Sequence, residues 1–265
     1  MPINNDQKQP VQLKMLPLIP LEKSMQPVAS PPAIIAPATD HYQLSAPAIR
    51  PGRKVLVIGD SHTAGTFGTE LDRQLRKAGA TVATYGSCGT TPASWLKGTA
   101  TRCGYVVHHV DGKLESPVWR VPNPEYAHDH TKPKYNVIPH PTPLLSDLMQ
   151  QEHPDVVIVA LGANDASDGK AVRADAAKLA GIATSTGAQC IWIGPPSGDP
   201  NVVDPALTER VNNALRGTVS GTCTYIDSRP FTPVYHGPDG RHFDKATGAA
   251  WADGVVGIVK TVPGK

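Results

Sequence analysis

The 265-residue sequence predicts an α/β fold, a three-layer α/β/α sandwich in which helices cover both faces of a parallel sheet of five strands. Two observations carry that reading. From Lys54 onward, buried-strand patterns alternate with helical ones, the signature of a parallel sheet covered by helices. Three segments rich in reactive side chains, Gly59-Asp60-Ser61-His62, Gly162-Ala163-Asn164-Asp165 and Asp239-Gly240-Arg241-His242, fall at strand ends or before the last helix. Open α/β sheets place their chemistry there.

The first strand, 54–59, contains Val55-Leu56-Val57-Ile58, a β-branched apolar run of the kind buried on both faces. A helix over 64–78 follows, then a strand at 81–85. After a long excursion the pattern resumes with a strand at 155–161, a helix at 170–187, a strand at 189–194, a helix at 203–219, a strand at 223–227 and a closing helix at 246–260. Right-handed crossovers and a switch point beside the first strand give a flavodoxin-like strand order. The three segments, together with the turn Gly86-Ser87-Cys88-Gly89-Thr90-Thr91, then converge on one edge of the sheet.

Two stretches stand outside this alternation. Residues 1–51 hold ten prolines and no glycine, the composition of an extended, poorly ordered leader, which serves either as a linker or as a docking tail. The folded domain proper is expected over 52–265, with an insertion at about 90–154 that shapes the substrate site, because structureless connections beyond about 15 residues are usually functional. The insertion contains Trp95, Tyr105, Trp119, Tyr126 and Tyr135 and histidines at 108, 109, 128, 130, 140 and 153. Its rings either stack on sugar faces or line an acyl pocket, or else form the small core that lets the insertion fold. The pairs His108-His109 and His128-x-His130 raise a metal reading, but no cysteine spacing or regular scaffold accompanies them.

Composition excludes several classes. A net charge of +2 without a basic cluster leaves no footprint for nucleic acid or an anionic membrane surface. No segment approaches the roughly 20 apolar residues of a membrane span. Met1 to Gln9 is polar, and the apolar stretches Met15 to Pro20 and Ala33 to Ala38 are broken by proline, so the N-terminus does not read as a secretory signal.

The chemistry lies in the reactive segments. A serine hydroxyl is a weak nucleophile at neutral pH and needs an imidazole to take its proton and a third group to hold that imidazole. Asp239 and His242, three residues apart, supply both to Ser61. The Ser61 backbone N–H, a glycine N–H and the Asn164 amide are candidate donors to a developing oxyanion, each worth about 2–4 kcal/mol of barrier.

Gly59-Asp60-Ser61, the Gly86 to Thr91 turn, Gly162-Ala163-Asn164-Asp165 and Asp239-Gly240-Arg241-His242-Phe243 occur in the order found in the SGNH or GDSL-like hydrolases, which the chain resembles from about Lys54 onward, with an interruption between Trp95 and His153. The resemblance implies that Ser61 is the nucleophile, that Gly89 and Asn164 complete the oxyanion hole with the Ser61 N–H, that His242 is the base and that Asp239 orients it. No metal or other cofactor is implied. His62 departs from the family pattern, in which an aliphatic residue follows the serine; His62, Trp95 and Asp165 are candidate substrate contacts.

Asp60-Ser61-His62 after an apolar strand also opens many two-metal phosphoesterases. Such a site needs further carboxylate, Asn and His ligands, and here Asn164 is followed by Asp165 rather than His. Four cysteines permit three pairings, of which Cys88 with Cys103 and Cys190 with Cys223 suits the strand layout best. Paired, they place the protein in the periplasm or outside the cell; the alternative is four buried thiols in a cytosolic enzyme.

These readings predict a serine ester hydrolase that removes O-acetyl or other short acyl groups from a carbohydrate. Alternatives on the same fold are a short-chain esterase, a thioesterase or a lysophospholipase. From another class comes a carbohydrate-binding protein that has lost turnover.

Overall fold

The computed structural model describes residues 46–165 and 169–265, without the side chains of 169–171. The leader expected over 1–51 lies outside the described residues as far as 45, and so does the docking role considered for it. Its last residues belong to the folded unit: the Ala48 N–H donates to Val262 O at 2.8 Å, and Ala48 and Ile49 are buried beside Val259 and Val262.

The strands in chain order are β1 (Lys54–Gly59), β2 (Thr81–Ser87), β3 (Ala100–Thr101), β4 (Tyr105–His108), β5 (Leu114–Glu115), β6 (Arg120–Pro122), β7 (Tyr135–Val137), β8 (His140–Pro141), β9 (Val156–Ala160), β10 (Gln189–Ile193) and β11 (Cys223–Ile226). The α-helices are α1 (Ser61–Ala64), α2 (Thr66–Lys77), α3 (Pro92–Lys97), α4 (Leu145–Glu152), α5 (Gly169–Thr184), α6 (Pro205–Val219) and α7 (Lys245–Val259).

A seven-stranded sheet runs β11-β10-β9-β1-β2-β4-β5. Its first five members pair in parallel, in the flavodoxin-like order, with β1 between β9 and β2. The sequence predicts these five alone. The two strands added beyond β2, β4 and then β5, are antiparallel and come from the excursion after β2. They are short, four and two residues, and carry no long apolar run to announce them.

Alternating side chains of the central strands enter two cores, which explains why these strands read as continuous apolar runs. Leu56 and Ile58 face one side with Trp95, Leu145, Met149, Leu179 and Leu215, under α3 to α6. Val55 and Val57 face the other with Phe67, Leu71, Trp251 and Val255, under α2 and α7. Each large side chain buried in this way contributes about 1.5–3 kcal/mol.

The insertion is narrower than the expected 90–154. Both of its ends are core helices: α3 buries Trp95, and α4 buries Leu145, Leu148 and Met149. At six and eight residues they are shorter than the window in which a helical period can be counted. Between them, besides β4 and β5, lie the two-stranded pairs β3-β8 and β6-β7.

Candidate active site

β1 ends at Gly59, and the chain turns at once into the single turn of α1. Asp60 caps that turn, its Oδ1 accepting from the His62 N–H at 2.9 Å. The turn lies directly on the end of β2. A Cβ at Gly86 would sit 2.5 Å from the Ala64 Cα, so glycine is what lets α1 settle there.

From the other end of the sequence, the loop before α7 brings His242 to the serine. His242 Nε2 lies 2.8 Å from Ser61 Oγ, and His242 Nδ1 lies 2.6 Å from Asp239 Oδ2. Asp239 Oδ1 accepts from the backbone N–H groups of Arg241 at 3.0 Å and His242 at 2.8 Å. Burial pushes the Asp239 carboxyl up, but the hydrogen bonds from the His242 backbone and ring and from the Arg241 N–H outweigh it and hold the group below the usual carboxylate range. It is therefore an anion at any pH near neutrality.

Sequence reasoning missed Tyr235. Its hydroxyl accepts from the Gly240 N–H at 2.6 Å and the Asp239 N–H at 3.2 Å and donates to His242 O at 3.1 Å, closing the loop that carries the pair. A lone tyrosine four residues before the aspartate belongs to no motif, and only the three-dimensional closure of the loop identifies it.

The N–H groups of Ser61 and Gly89 have no acceptor among the described residues. The Asn164 amide stands beside them, its Nδ2 donating to Thr90 O at 3.0 Å and lying 3.4 Å from Asp60 Oδ2. Ser61, Gly89, Asn164 and His242 all line one cavity of about 410 Å³. Pro195, Pro196, Val203, Leu207 and Val211 form its apolar side.

The three candidate substrate contacts part company here. His62 lines the cavity, edge-on to Trp251 with ring centres 5.3 Å apart and 5.5 Å from the His242 ring. Burial, then the neighbouring His242, pushes its imidazole down to about 3, so it is neutral beside Ser61. Asp165 also lines the cavity; burial and then the Asp175 charge push its carboxyl up to about 7, and its Oδ2 has no hydrogen-bond partner among the described residues. Trp95 corrects the expectation: it is fully buried and outside the cavity, donating from Nε1 to Thr90 Oγ1 at 3.2 Å. Its part is to brace the Gly86 to Thr91 turn from behind, because the short helix that carries it faces the core.

Asp60 is buried too, and burial pushes its carboxyl up to about 7 against the His62 N–H that it accepts. The insertion histidines are dispersed: His109 pairs with Glu115 at 3.0 Å, His140 stacks on Tyr105 and His130 packs on Tyr126. Among the described residues, no group of three or more His, Cys, Asp or Glu side chains is arranged to hold a metal ion. The cysteines are paired as Cys88–Cys103 and Cys190–Cys223. Cys190 and Cys223 are register partners in adjacent strands.

No protein-family model matches the chain. The protein BcsX of Komagataeibacter xylinus is 28% identical over 234 residues, spanning 83% of this chain and 80% of the relative. Among solved structures, TesA superposes with a TM-score of 0.52 at 18% identity, over 78% of this chain and 98% of TesA. The chain shares its fold with TesA. A catalytic mutant of Axe2, an acetylxylan esterase from Geobacillus stearothermophilus, superposes with a TM-score of 0.52 at 14% identity, over 82% of this chain and all of that one. An α/β hydrolase from the metagenome of Lake Arreo, Spain, gives 0.51 at 14% identity, over 80% of this chain and 97% of that one.

Proposed function

We propose that the protein is a serine ester hydrolase of the SGNH-like family, working through an acyl-Ser61 intermediate and removing O-acetyl or other short acyl groups from a carbohydrate. The observation that carries the reading is the continuous relay from Ser61 Oγ through both nitrogens of His242 to the anionic Asp239. His242 Nε2 takes the serine proton as Oγ attacks the ester carbonyl, and Asp239 steadies the imidazolium that forms. The N–H groups of Ser61 and Gly89 and the Asn164 amide receive the oxyanion. His242 then protonates the departing alcohol and afterwards activates the water that releases the acid.

The carbohydrate acetyl ester is the favoured substrate because the fold is shared with an acetylxylan esterase and because the insertion lacks the extended aliphatic run of a lipase lid. The apolar side of the cavity favours a second reading, a short-chain esterase or thioesterase whose acyl group lies along Leu207 and Val211. The two disulfides support a working place in an oxidising compartment, periplasmic or extracellular. Among the described residues, no helix is long and apolar enough to cross a membrane.

Hydrolysis of p-nitrophenyl acetate, butyrate and longer esters by the wild type and Ser61→Ala, with and without EDTA, tests the proposal. Expected is turnover that falls to background in Ser61→Ala, ignores EDTA and declines with acyl length; a preference for butyrate or longer chains selects the second reading. Activity that survives Ser61→Ala or collapses with EDTA overturns both and returns attention to Asp60 and His62 as metal ligands.

A further inference from the structure

We propose that the Cys88–Cys103 disulfide is a positioning element of the Ser61 site, holding the Gly89 N–H in place as an oxyanion donor, so that its reduction by a dithiol lowers turnover while Cys190–Cys223 stays closed. This rests on the serine esterase reading and adds to it a redox dependence.

Gly89 has a φ of 74°, in the left-handed region where glycine is unstrained, and its N–H has no acceptor among the described residues. An open donor contributes to catalysis only if its direction is fixed before the oxyanion forms. Downstream, Thr90 fixes it: the Thr90 N–H and Oγ1 reach Ser87 O at 3.3 and 2.6 Å, and Trp95 braces Oγ1 from the core. Upstream, β2 ends at Ser87, whose Oγ lies 2.8 Å from Thr142 Oγ1, and Cys88 is held by the segment 101–104. The Cys88 N–H donates to Gly104 O at 2.9 Å, and Thr101 Oγ1 donates to Cys88 O at 2.6 Å.

That segment has little regular structure of its own. It joins the two-residue strand β3 to β4 through a bend, and the disulfide ties it to the turn across 15 residues of sequence. The Cys103 sulfur also covers the open face of Gly89, where a Cβ would meet it at 3.5 Å. With the bond broken, the two hydrogen bonds to Cys88 and the short β3-β8 and β2-β4 pairings at its ends keep the 101–104 segment against the oxyanion turn.

The two disulfides differ in access. Cys190 and Cys223 are 1% and 3% exposed, within the core. Cys103 is exposed, Cys88 is half-buried, and both line the same cavity as Ser61 and His242. Exposed disulfides exchange readily and buried ones resist. In the exchange, a thiolate of the dithiol attacks one sulfur and the S–S bond breaks. The second thiol of the reagent then resolves the mixed disulfide. Two electrons and two protons pass to Cys88 and Cys103 as thiols, and the reagent leaves as its own cyclic disulfide.

The test compares wild type, wild type treated with dithiothreitol until alkylation and peptide mapping show Cys88 and Cys103 alone reduced, and the double variants Cys88→Ser/Cys103→Ser and Cys190→Ser/Cys223→Ser. Expected is a kcat for p-nitrophenyl acetate about 10- to 100-fold lower, with KM within about threefold, for the reduced protein and the Cys88→Ser/Cys103→Ser variant, below the full loss of a donor. Reoxidation restores the reduced protein, and the other double variant keeps its kcat. A purely structural bond would instead lower the melting temperature and leave the kcat of the folded protein unchanged, which overturns the proposal. The Gly89 amide resonance provides a readout independent of turnover: one sharp signal with the bond closed, and a broadened or shifted signal with it open. If the wild type hydrolyses no ester, the esterase reading fails. If the Gly89 signal is the same in both states, the positioning proposal fails.

Discussion

Ser61 owes its proposed reactivity to its partners, and at the scale of single residues each partner has a separable effect. Asp239→Asn keeps the shape of the loop but presents the wrong hydrogen-bond pattern to His242 Nδ1; kcat should fall by about 10³- to 10⁴-fold with little change in KM. Asn164→Ala removes one proposed oxyanion donor and should cost about 10²- to 10³-fold in kcat. Tyr235→Phe leaves Asp239 and His242 in place but frees the Gly240 and Asp239 N–H groups, and a smaller drop in kcat is expected, of about tenfold, with the fold intact by circular dichroism. The contiguous blocks made Ser61, Asn164, Asp239 and His242 legible as candidates, because the proposed chemistry constrains neighbouring residues together. Tyr235 left no such trace. Trp95 misled for the opposite reason: an aromatic residue in an excursion looks available to a ligand, and its position at 0% exposure depends on a six-residue helix too short to show a period.

Among the elements, α1 depends on its contact with the end of β2. Gly86→Ala places a methyl group against Ala64, shifting the turn that carries Ser61; a displacement of about 1 Å there is enough to lower kcat/KM by about 10²-fold. Gly181→Ala, in the last turn of α5 with open space around it, should instead leave activity unchanged and raise stability by about 0.4–1 kcal/mol in urea unfolding. The main strands and long helices were legible nearly to the residue, since a strand buried on both faces is apolar throughout and a helix of a dozen residues shows its period. β4 and β5 were not, because at four and two residues their length is below what alternation can reveal.

At the level of the whole molecule, the buried Asp60 and the half-buried His62 set a pH dependence of stability. Burial raises the Asp60 carboxyl from 3.8 in the open chain to about 7 in the fold. The folded state therefore holds a proton that the unfolded chain has released, and this contribution, complete below about pH 4, is lost as pH rises towards 7. His62, lowered from 6.5 to about 3, acts in the opposite sense: its contribution is present above about pH 6.5 and is lost as pH falls towards 3. Asp60→Asn should consequently gain stability relative to wild type as pH rises from about 4 to about 7, measured by urea unfolding at both ends; a constant difference would contradict the buried-acid account. Trp251, stacked on Phe67 with ring centres 3.7 Å apart and edge-on to His62, links this region to the core under α7, and Trp251→Ala should cost about 3–5 kcal/mol.

The most direct test of the central claim is to trap the acyl-enzyme: mix the protein with p-nitrophenyl acetate, quench in acid within the first turnovers, and map the modified peptide by mass spectrometry. The account predicts one acetyl group on Ser61, formed with a burst of p-nitrophenol and absent from Ser61→Ala. Steady hydrolysis with no adduct on Ser61, continuing in the Ser61→Ala protein, would contradict it.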